Sequence, residues 1–223
     1  KAAEAGNAKA MFNLARSRQK GDGVERDLAL AVSWYRKAAE ADHTQAMFHL
    51  AAAYSKGLGV EKDSSLAAYW LAKAAEAGHS DAMFHLALAY RKRKGAERDA
   101  SLAVTWLEKA AEAGNAKAMF NLARSRQKGD GVERDLALAV SWYRKAAEAD
   151  HTQAMFHLAA AYSKGLGVEK DSSLAAYWLA KAAEAGHSDA MFHLALAYRK
   201  RKGAERDASL AVTWLEKAAE AGN

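Results

Sequence analysis

The chain of 223 residues carries 33 Lys and Arg against 27 Asp and Glu, a net charge of +6, and has neither cysteine nor proline. Without cysteine it can form no disulfide or thiolate metal site, and no apolar run approaches the roughly 20 residues that a helix needs to cross a bilayer. The basic excess is spread, with seven basic and five acidic residues over 8–43, three and three over 44–79, and six and five over 80–115; a dedicated nucleic-acid binder gathers its basic residues on one face with aromatics between them, so neither a specific nucleic-acid partner nor a membrane is expected.

Residues 1–7, K-A-A-E-A-G-N, recur as residues 217–223. The motif ends a helix elsewhere in the sequence, so the chain reads as a cut or trimmed piece that opens on the stub of a helix. The first full element is a helix over 10–20. Met11, Leu14, Ala15 and Arg18 fall at i, i+3, i+4 and i+7 on one face. The corresponding sets are Met47, Leu50, Ala51 and Tyr54, then Met83, Leu86, Ala87 and Tyr90. A turn G-D-G-V-E-R-D or G-L-G-V-E-K-D follows. Gly21 and Gly57 suit the left-handed residue that ends a helix. Asp27, Asp63 and Asp99 stand where an N-cap accepts a bond from a free backbone N–H. The second helix, L-A-L-A-V-S-W-Y-R-K-A-A-E-A, is expected to bury Leu30, Ala31, Trp34 and Ala38. Asp42, Gly78 and Gly114 end it, and Asn7, Thr44 or Ser80 are candidate caps for the helix that comes next.

This pair of helices recurs every 36 residues, and Ala10, Ala46, Ala82, Ala118, Ala154 and Ala190 each open an A-M-F-[NH]-L-A run. Above that period lies a longer one: residues 1–108 recur without a difference as residues 109–216. Cores tolerate much substitution, so folding does not demand such identity. It points to design or deliberate duplication, to a very recent natural duplication, or to an averaged sequence. A two-helix unit cannot bury its apolar stripe alone, and stacking against its neighbours gives a quasi-one-dimensional solenoid. The predicted fold is therefore all-α, a right-handed solenoid of six helix-turn-helix repeats over 8–43, 44–79, 80–115, 116–151, 152–187 and 188–223, forming a single repeat domain over 1–223.

The pattern A-x-x-x-L-A-x-x-Y-x-x-G-x-G-V-x-x-D, then A-x-x-W, then K-A-A-E-A-G, resembles the Sel-1-like repeat, a tetratricopeptide-like helical unit. The resemblance extends through all six repeats. Three departures stand out. Glu25 and Glu61 replace the proline common after the turn valine. Arg18 and Arg126 replace the first-helix tyrosine. Arg93 and Arg201 replace the first turn glycine, which implies a longer helix or a strained turn there. The resemblance implies a non-enzymatic adaptor that holds protein complexes together, with a protein or peptide lying on the concave face.

By the same analogy the first helices line that face. Lys9, Phe12, Asn13, Arg16 and Gln19 then point into the groove, followed by Phe48, His49, Ala52 and Ser55 and by Asp81, Phe84, His85, Leu88 and Arg91. The second copy contributes Lys117, Phe120, Asn121, Arg124 and Gln127, then Phe156 and His157, then Phe192, His193, Leu196 and Arg199. A groove with a phenylalanine in every repeat beside Asn, His and Arg suits an extended peptide or a terminal carboxylate. The plainer reading packs each phenylalanine on the next repeat and leaves the polar residues solvated.

No cofactor, metal site or catalytic set is expected. His49 and His85 occupy equivalent positions, yet zinc needs three or four converging ligands. The run Arg91, Lys92, Arg93, Lys94 reads as a solvated helix end that complements the helix dipole. The turn G-D-G-V-E-R-D lacks the lysine of a phosphate loop and the ligand spacing of a calcium loop, and the serines have no companion histidine and acid at a nucleophile turn. The alternative to a binding scaffold is a self-assembling structural protein, a head-to-tail filament or closed ring, in which Met11 and Leu14 of one copy pack on the last helix, 207–221, of another.

Overall fold

The computed structural model describes Ala3 and residues 6–92, 99–200 and 208–222. Among these residues the chain forms twelve helices of 13 residues each and no strand. They are α1 (Ala8–Lys20), α2 (Leu28–Glu40), α3 (Thr44–Lys56), α4 (Ser64–Glu76), α5 (Ser80–Lys92), α6 (Ala100–Glu112), α7 (Ala116–Lys128), α8 (Leu136–Glu148), α9 (Thr152–Lys164), α10 (Ser172–Glu184), α11 (Ser188–Lys200) and α12 (Ala208–Glu220). This is the all-α, six-repeat solenoid class that the periodicity predicts. The contacts group the helices into two compact units, Lys1–Ala113 with α1–α6 and Gly114–Asn223 with α7–α12.

In the first unit α1 packs on α2, α3 on α4 and α5 on α6, and the pairs are joined through α2 on α3 and α4 on α5. The second unit pairs α7 with α8, α9 with α10 and α11 with α12, joined through α8 on α9 and α10 on α11. Small residues make the close approach possible: Ala15, Ala38, Ala46, Ala74, Ala82 and Ala87 are fully enclosed.

The turn within a repeat is tied down by backbone bonds. The Gly21 N–H donates to Ser17 O at 2.8 Å, and the Asp27 N–H reaches back to Arg18 O at 2.9 Å. Gly21 holds φ 78°, in the left-handed region. Asp27 then accepts from the Leu30 N–H at 2.9 Å, and Asp63 and Asp99 cap α4 and α6 in the same way.

The caps at the start of the first helices depart from expectation. Asn7 caps α1, accepting from the Ala10 N–H at 2.9 Å. Thr44 and Ser80, however, are already helical, and the residue before each does the capping. The Ala46 and Ala82 N–H groups donate to Nδ1 of His43 and His79 at 3.3 Å.

The buried face of the second helix also differs. Ala31, Val32, Tyr35, Ala38 and Ala39 are buried, while Leu30 and Trp34 are half-buried. The stripe is rotated by one residue from tryptophan to tyrosine. Trp34 lies at the rim of the core with the Lys37 ammonium 4.5 Å from its ring centre, an arrangement that keeps one face of the indole covered by a cation rather than by another helix.

Of the predicted stub, Ala3, Gly6 and Asn7 are described: Ala3 is buried against the core of the first unit, and the Gly6 N–H donates to its carbonyl. Arg93, Lys94 and Arg201, which bear on the third-repeat turn and on the basic run, lie outside the described residues, as does Asp207. Arg91 and Lys92 sit in the last turn of α5.

Candidate peptide groove

Alanine-rich helices leave space where larger side chains would fill it. In the first unit Ala51, Ala52 and Ala53 on α3, Ala67 and Ala68 on α4 and Ala89 on α5 line an open groove of about 630 Å³. Leu28, Val32 and Tyr35 of α2, Phe48 of α3, Leu58 in the turn, Leu71 of α4 and Leu88 of α5 complete its apolar surface. Its polar lining comes from Gln19, His49, Ser55, Lys56, His85 and Lys92. The second unit holds the corresponding groove, about 620 Å³, with Gln127, Tyr143, Phe156, His157, Ser163, Lys164 and His193 among its lining residues.

Aromatic contacts organise the groove wall. Tyr35 stacks on His49 with centroids 5.1 Å apart and planes 12° apart. Its hydroxyl donates to Gln19 Oε1 at 2.7 Å. Burial pushes the Tyr35 hydroxyl up to about 12, against the opposing pull of Arg16. It therefore stays a donor. Burial also holds His49 below the ordinary histidine value, and Arg16 and His79 add to the effect. Phe48 lies between two repeats, stacked on His79 at 4.5 Å and on His85 at 5.9 Å.

The predicted groove residues separate into two groups. Gln19, Phe48, His49, Ala52, Ser55, His85 and Leu88 line the cavity, and Gln127, Phe156, His157 and His193 line the second. Phe12 and Phe120 do not: each is buried, packed on a tyrosine and two histidines. Phe84 is also buried, and Phe192 is exposed. At Phe12 the plainer packing reading describes the contacts. Lys9, Asn13, Arg16, Asp81, Arg91, Lys117, Asn121, Arg124, Leu196 and Arg199 are not among the lining residues; Lys9, Asn13, Arg16, Lys117, Asp81 and Arg199 are exposed, while Asn121, Arg124, Arg91 and Leu196 are half-buried. Arg16 and Arg124 lie against the Phe12 and Phe120 rings, 5.8 Å from their centres.

Tyr35, Leu58, Leu71 and the two lysines were not marked by the sequence as groove residues. The alanine clusters A-A-A at 51–53 and A-A at 67–68 carried the only signal, since runs of small residues on facing helices leave volume unfilled. Among the described residues no group of three or more His, Cys, Asp or Glu side chains converges to hold a metal ion. His49 and His85 both pack on Phe48. Where the repeat usually has tyrosine, Tyr54 accepts from Arg36 at 2.6 Å, whereas Arg18 donates to Glu25 O within its own turn at 3.3 Å.

No relative among curated proteins matches the chain. Among solved structures, a protective antigen of uropathogenic Escherichia coli with an SLR fold is 36% identical over the whole chain, with a TM-score of 0.90. The chain spans 48% of that protein's length. A Sel1 repeat protein from Oxalobacter formigenes is 32% identical, with a TM-score of 0.80, over 95% of this chain and 85% of its own. An immunity protein from Pseudomonas aeruginosa, 24% identical over 96% of this chain and 81% of its own with a TM-score of 0.56, shares the fold. Sel1 repeats commonly build non-catalytic scaffolds for protein interaction. Their family profile matches residues 8–43, 44–79, 80–115, 116–151, 152–187 and 188–223 in turn, and the chain belongs to the Sel1 repeat family.

Proposed function

We propose that the chain is a non-enzymatic scaffold whose grooves each hold a peptide segment of a partner protein, one that is apolar and carries carboxylates. The observation behind this reading is the composition of the groove lining. In the first groove an apolar floor is bordered by Lys56 and Lys92, and no Asp or Glu is among the lining residues. The second has a closely similar floor, to which Leu194 and Tyr198 rather than a counterpart of Leu88 contribute, with Lys164 and likewise no acid among its lining residues.

Magnitudes divide the work between these groups. A leucine or phenylalanine side chain that enters the groove gains about 1.5–3 kcal/mol by leaving water. A carboxylate meeting an exposed lysine gains at most about 1 kcal/mol. Apolar side chains therefore set affinity, and the lysines set preference for acidic over basic segments. Titration with acidic, neutral and basic pools of apolar peptides tests the reading. The acidic pool binds tightest, and its advantage shrinks as salt screens the lysines. Equal affinity for all three pools, or a preference for the basic one, would refute it.

A second reading is head-to-tail self-assembly. Phe192 and Val212, in the last repeat, are 44% and 52% exposed, and an exposed apolar face favours association. Mass measured over a range of protein concentrations tests it; a constant monomer mass excludes it.

A further inference from the structure

The tyrosine wall of the groove does not follow the 36-residue repeat. It depends on a tyrosine at position 35, which the next two repeats replace with Leu71 and Leu107, and on Gln19, which they replace with Ser55 and Arg91. The Tyr–Gln–His arrangement therefore arises once per three repeats, with the 108-residue period of the sequence. The two occurrences have the same geometry. Tyr35 stacks on His49 at 5.1 Å and 12°, and Tyr143 on His157 at 5.1 Å and 11°. The tyrosine hydroxyls donate to Gln19 and Gln127 at 2.7 and 2.8 Å. The groove volumes are about 630 and 620 Å³.

We infer that the protein is bivalent: each unit takes one copy of the same segment, and the partner it fits is a protein that presents that apolar, carboxylate-bearing segment at least twice. The inference rests on the peptide-binding reading above. The linings correspond at a spacing of 108 residues except for Leu88 and Lys92 in the first groove and Leu194 and Tyr198 in the second, so the intrinsic affinities are closely similar and a partner with one copy of the segment occupies the grooves independently. A partner with two copies converts the second event into an intramolecular one, and its affinity rises without any new contact.

The test uses the full chain and a short synthetic peptide carrying leucine, phenylalanine and glutamate, alone and joined in tandem through a series of Gly/Ser linkers. Calorimetric titration of the single peptide gives two equivalent sites. Ala52→Trp or Ala160→Trp, each filling one groove, leaves one site of unchanged affinity. Ala52→Glu and Ala160→Glu, which place a carboxylate in the groove with little added bulk, serve as a second pair, and thermal melts verify that every variant folds. The tandem peptide binds the parent chain about 100-fold tighter than the single one at the best linker length, and either groove variant removes that gain. A single peptide that binds with one site per chain, or a tandem that gains nothing at any linker length, overturns bivalency and leaves the peptide-binding reading standing. A single peptide that does not bind overturns both.

Discussion

The Tyr35 ring lies flat on the imidazole of His49, 5.1 Å from it, while its hydroxyl donates to Gln19 Oε1. One side chain of the first repeat thus joins α1, α2 and the following α3, and does so with its ring almost wholly buried. Trp34, its neighbour in sequence, is half-buried at the rim. Tyr35→Ala should therefore cost about 3–5 kcal/mol, the range for removing a buried aromatic. Trp34→Ala should cost less, about 1–3 kcal/mol, and Tyr35→Phe about 1 kcal/mol for the lost hydrogen bond. Chemical denaturation of the three variants ranks them; a tryptophan variant weaker than Tyr35→Ala would reverse the assignment of the core.

The order of those two residues marks how far the sequence could be read. The repeat period, the helix pairs, the Asp caps and the glycine turns were legible, because each leaves a local signature at fixed spacing. The phase of the second helix was not. Tryptophan and tyrosine are adjacent, both are large, and a helix turned by one residue buries either. The direction of the neighbouring repeat decides which, and that is tertiary information. The capping role of His43 is hidden in the sequence for a related reason: a histidine is a less frequent cap than the threonine beside it, but here its ring also stacks on Phe12 at 4.7 Å. Of the site, the first-helix residues Phe48, His49 and His85 were legible from the analogy. Leu58 and Leu71 were not, since they reach the groove from the turn and the second helix.

The histidines make the fold sensitive to acid. Burial holds His43, His49, His79, His151, His157 and His187 below the ordinary value of 6.5. Lys9 adds to the effect at His43 and Arg16 at His49, while Asp81 opposes it at His79. Four of the six, His43, His79, His151 and His187, accept a backbone N–H at Nδ1, which a proton would block. The folded chain thus binds fewer protons than the unfolded chain below 6.5. Stability is full above that value and falls as pH drops through and below it. Thermal melts between pH 7.5 and 5 should show a falling Tm. Replacing His43 and His151 with asparagine, the residue that caps α1 and α7, should flatten the slope. A Tm that holds steady over this range would show that the rings carry no linkage.

The two glycines of the turn have different roles. Gly57 ends α3 with φ 70°, and a Cβ there would meet its neighbours at ordinary contact distance. A Cβ on Gly59 would lie 2.2 Å from Leu28 O, the backbone at the start of the preceding repeat's second helix. The Leu28 carbonyl cannot swing away without disturbing α2. Gly23 holds the same left-handed conformation with nothing within 4 Å of its would-be Cβ. Gly23→Ala should therefore show only the conformational cost, about 1–2 kcal/mol. Gly59→Ala should exceed it and reach about 3 kcal/mol or more. Equal losses in urea denaturation would mean that the close approach relaxes without cost.

The end of the second helix offers a substitution in the opposite direction. Gly6, Gly78, Gly114, Gly186 and Gly222 all take positive φ there, between 84° and 97°. At the equivalent places in the first and fourth repeats the chain has Asp42 and Asp150, with φ 57° and 58°. Both are exposed, so nothing in the packing demands a side chain. A left-handed residue with a Cβ is strained by roughly 1–2 kcal/mol, less for aspartate, whose short polar side chain can bond locally. Glycine removes the strain but gives the unfolded chain more freedom, which offsets part of the gain. The neighbouring backbone is already arranged for either residue: the His43 N–H donates to Ala38 O at 3.0 Å, as the His79 N–H does to Ala74 O at 3.0 Å after Gly78. Asp42→Gly should therefore stabilise the protein by about 0.5–1 kcal/mol, and Asp42→Ala, which keeps the Cβ without the polar group that eases aspartate into this conformation, should destabilise it. The double variant at Asp42 and Asp150 should gain about twice the single change, since the two positions lie in separate units. A loss of stability in Asp42→Gly, measured by urea denaturation, would mean that the aspartate holds the turn by a contact worth more than the strain it carries.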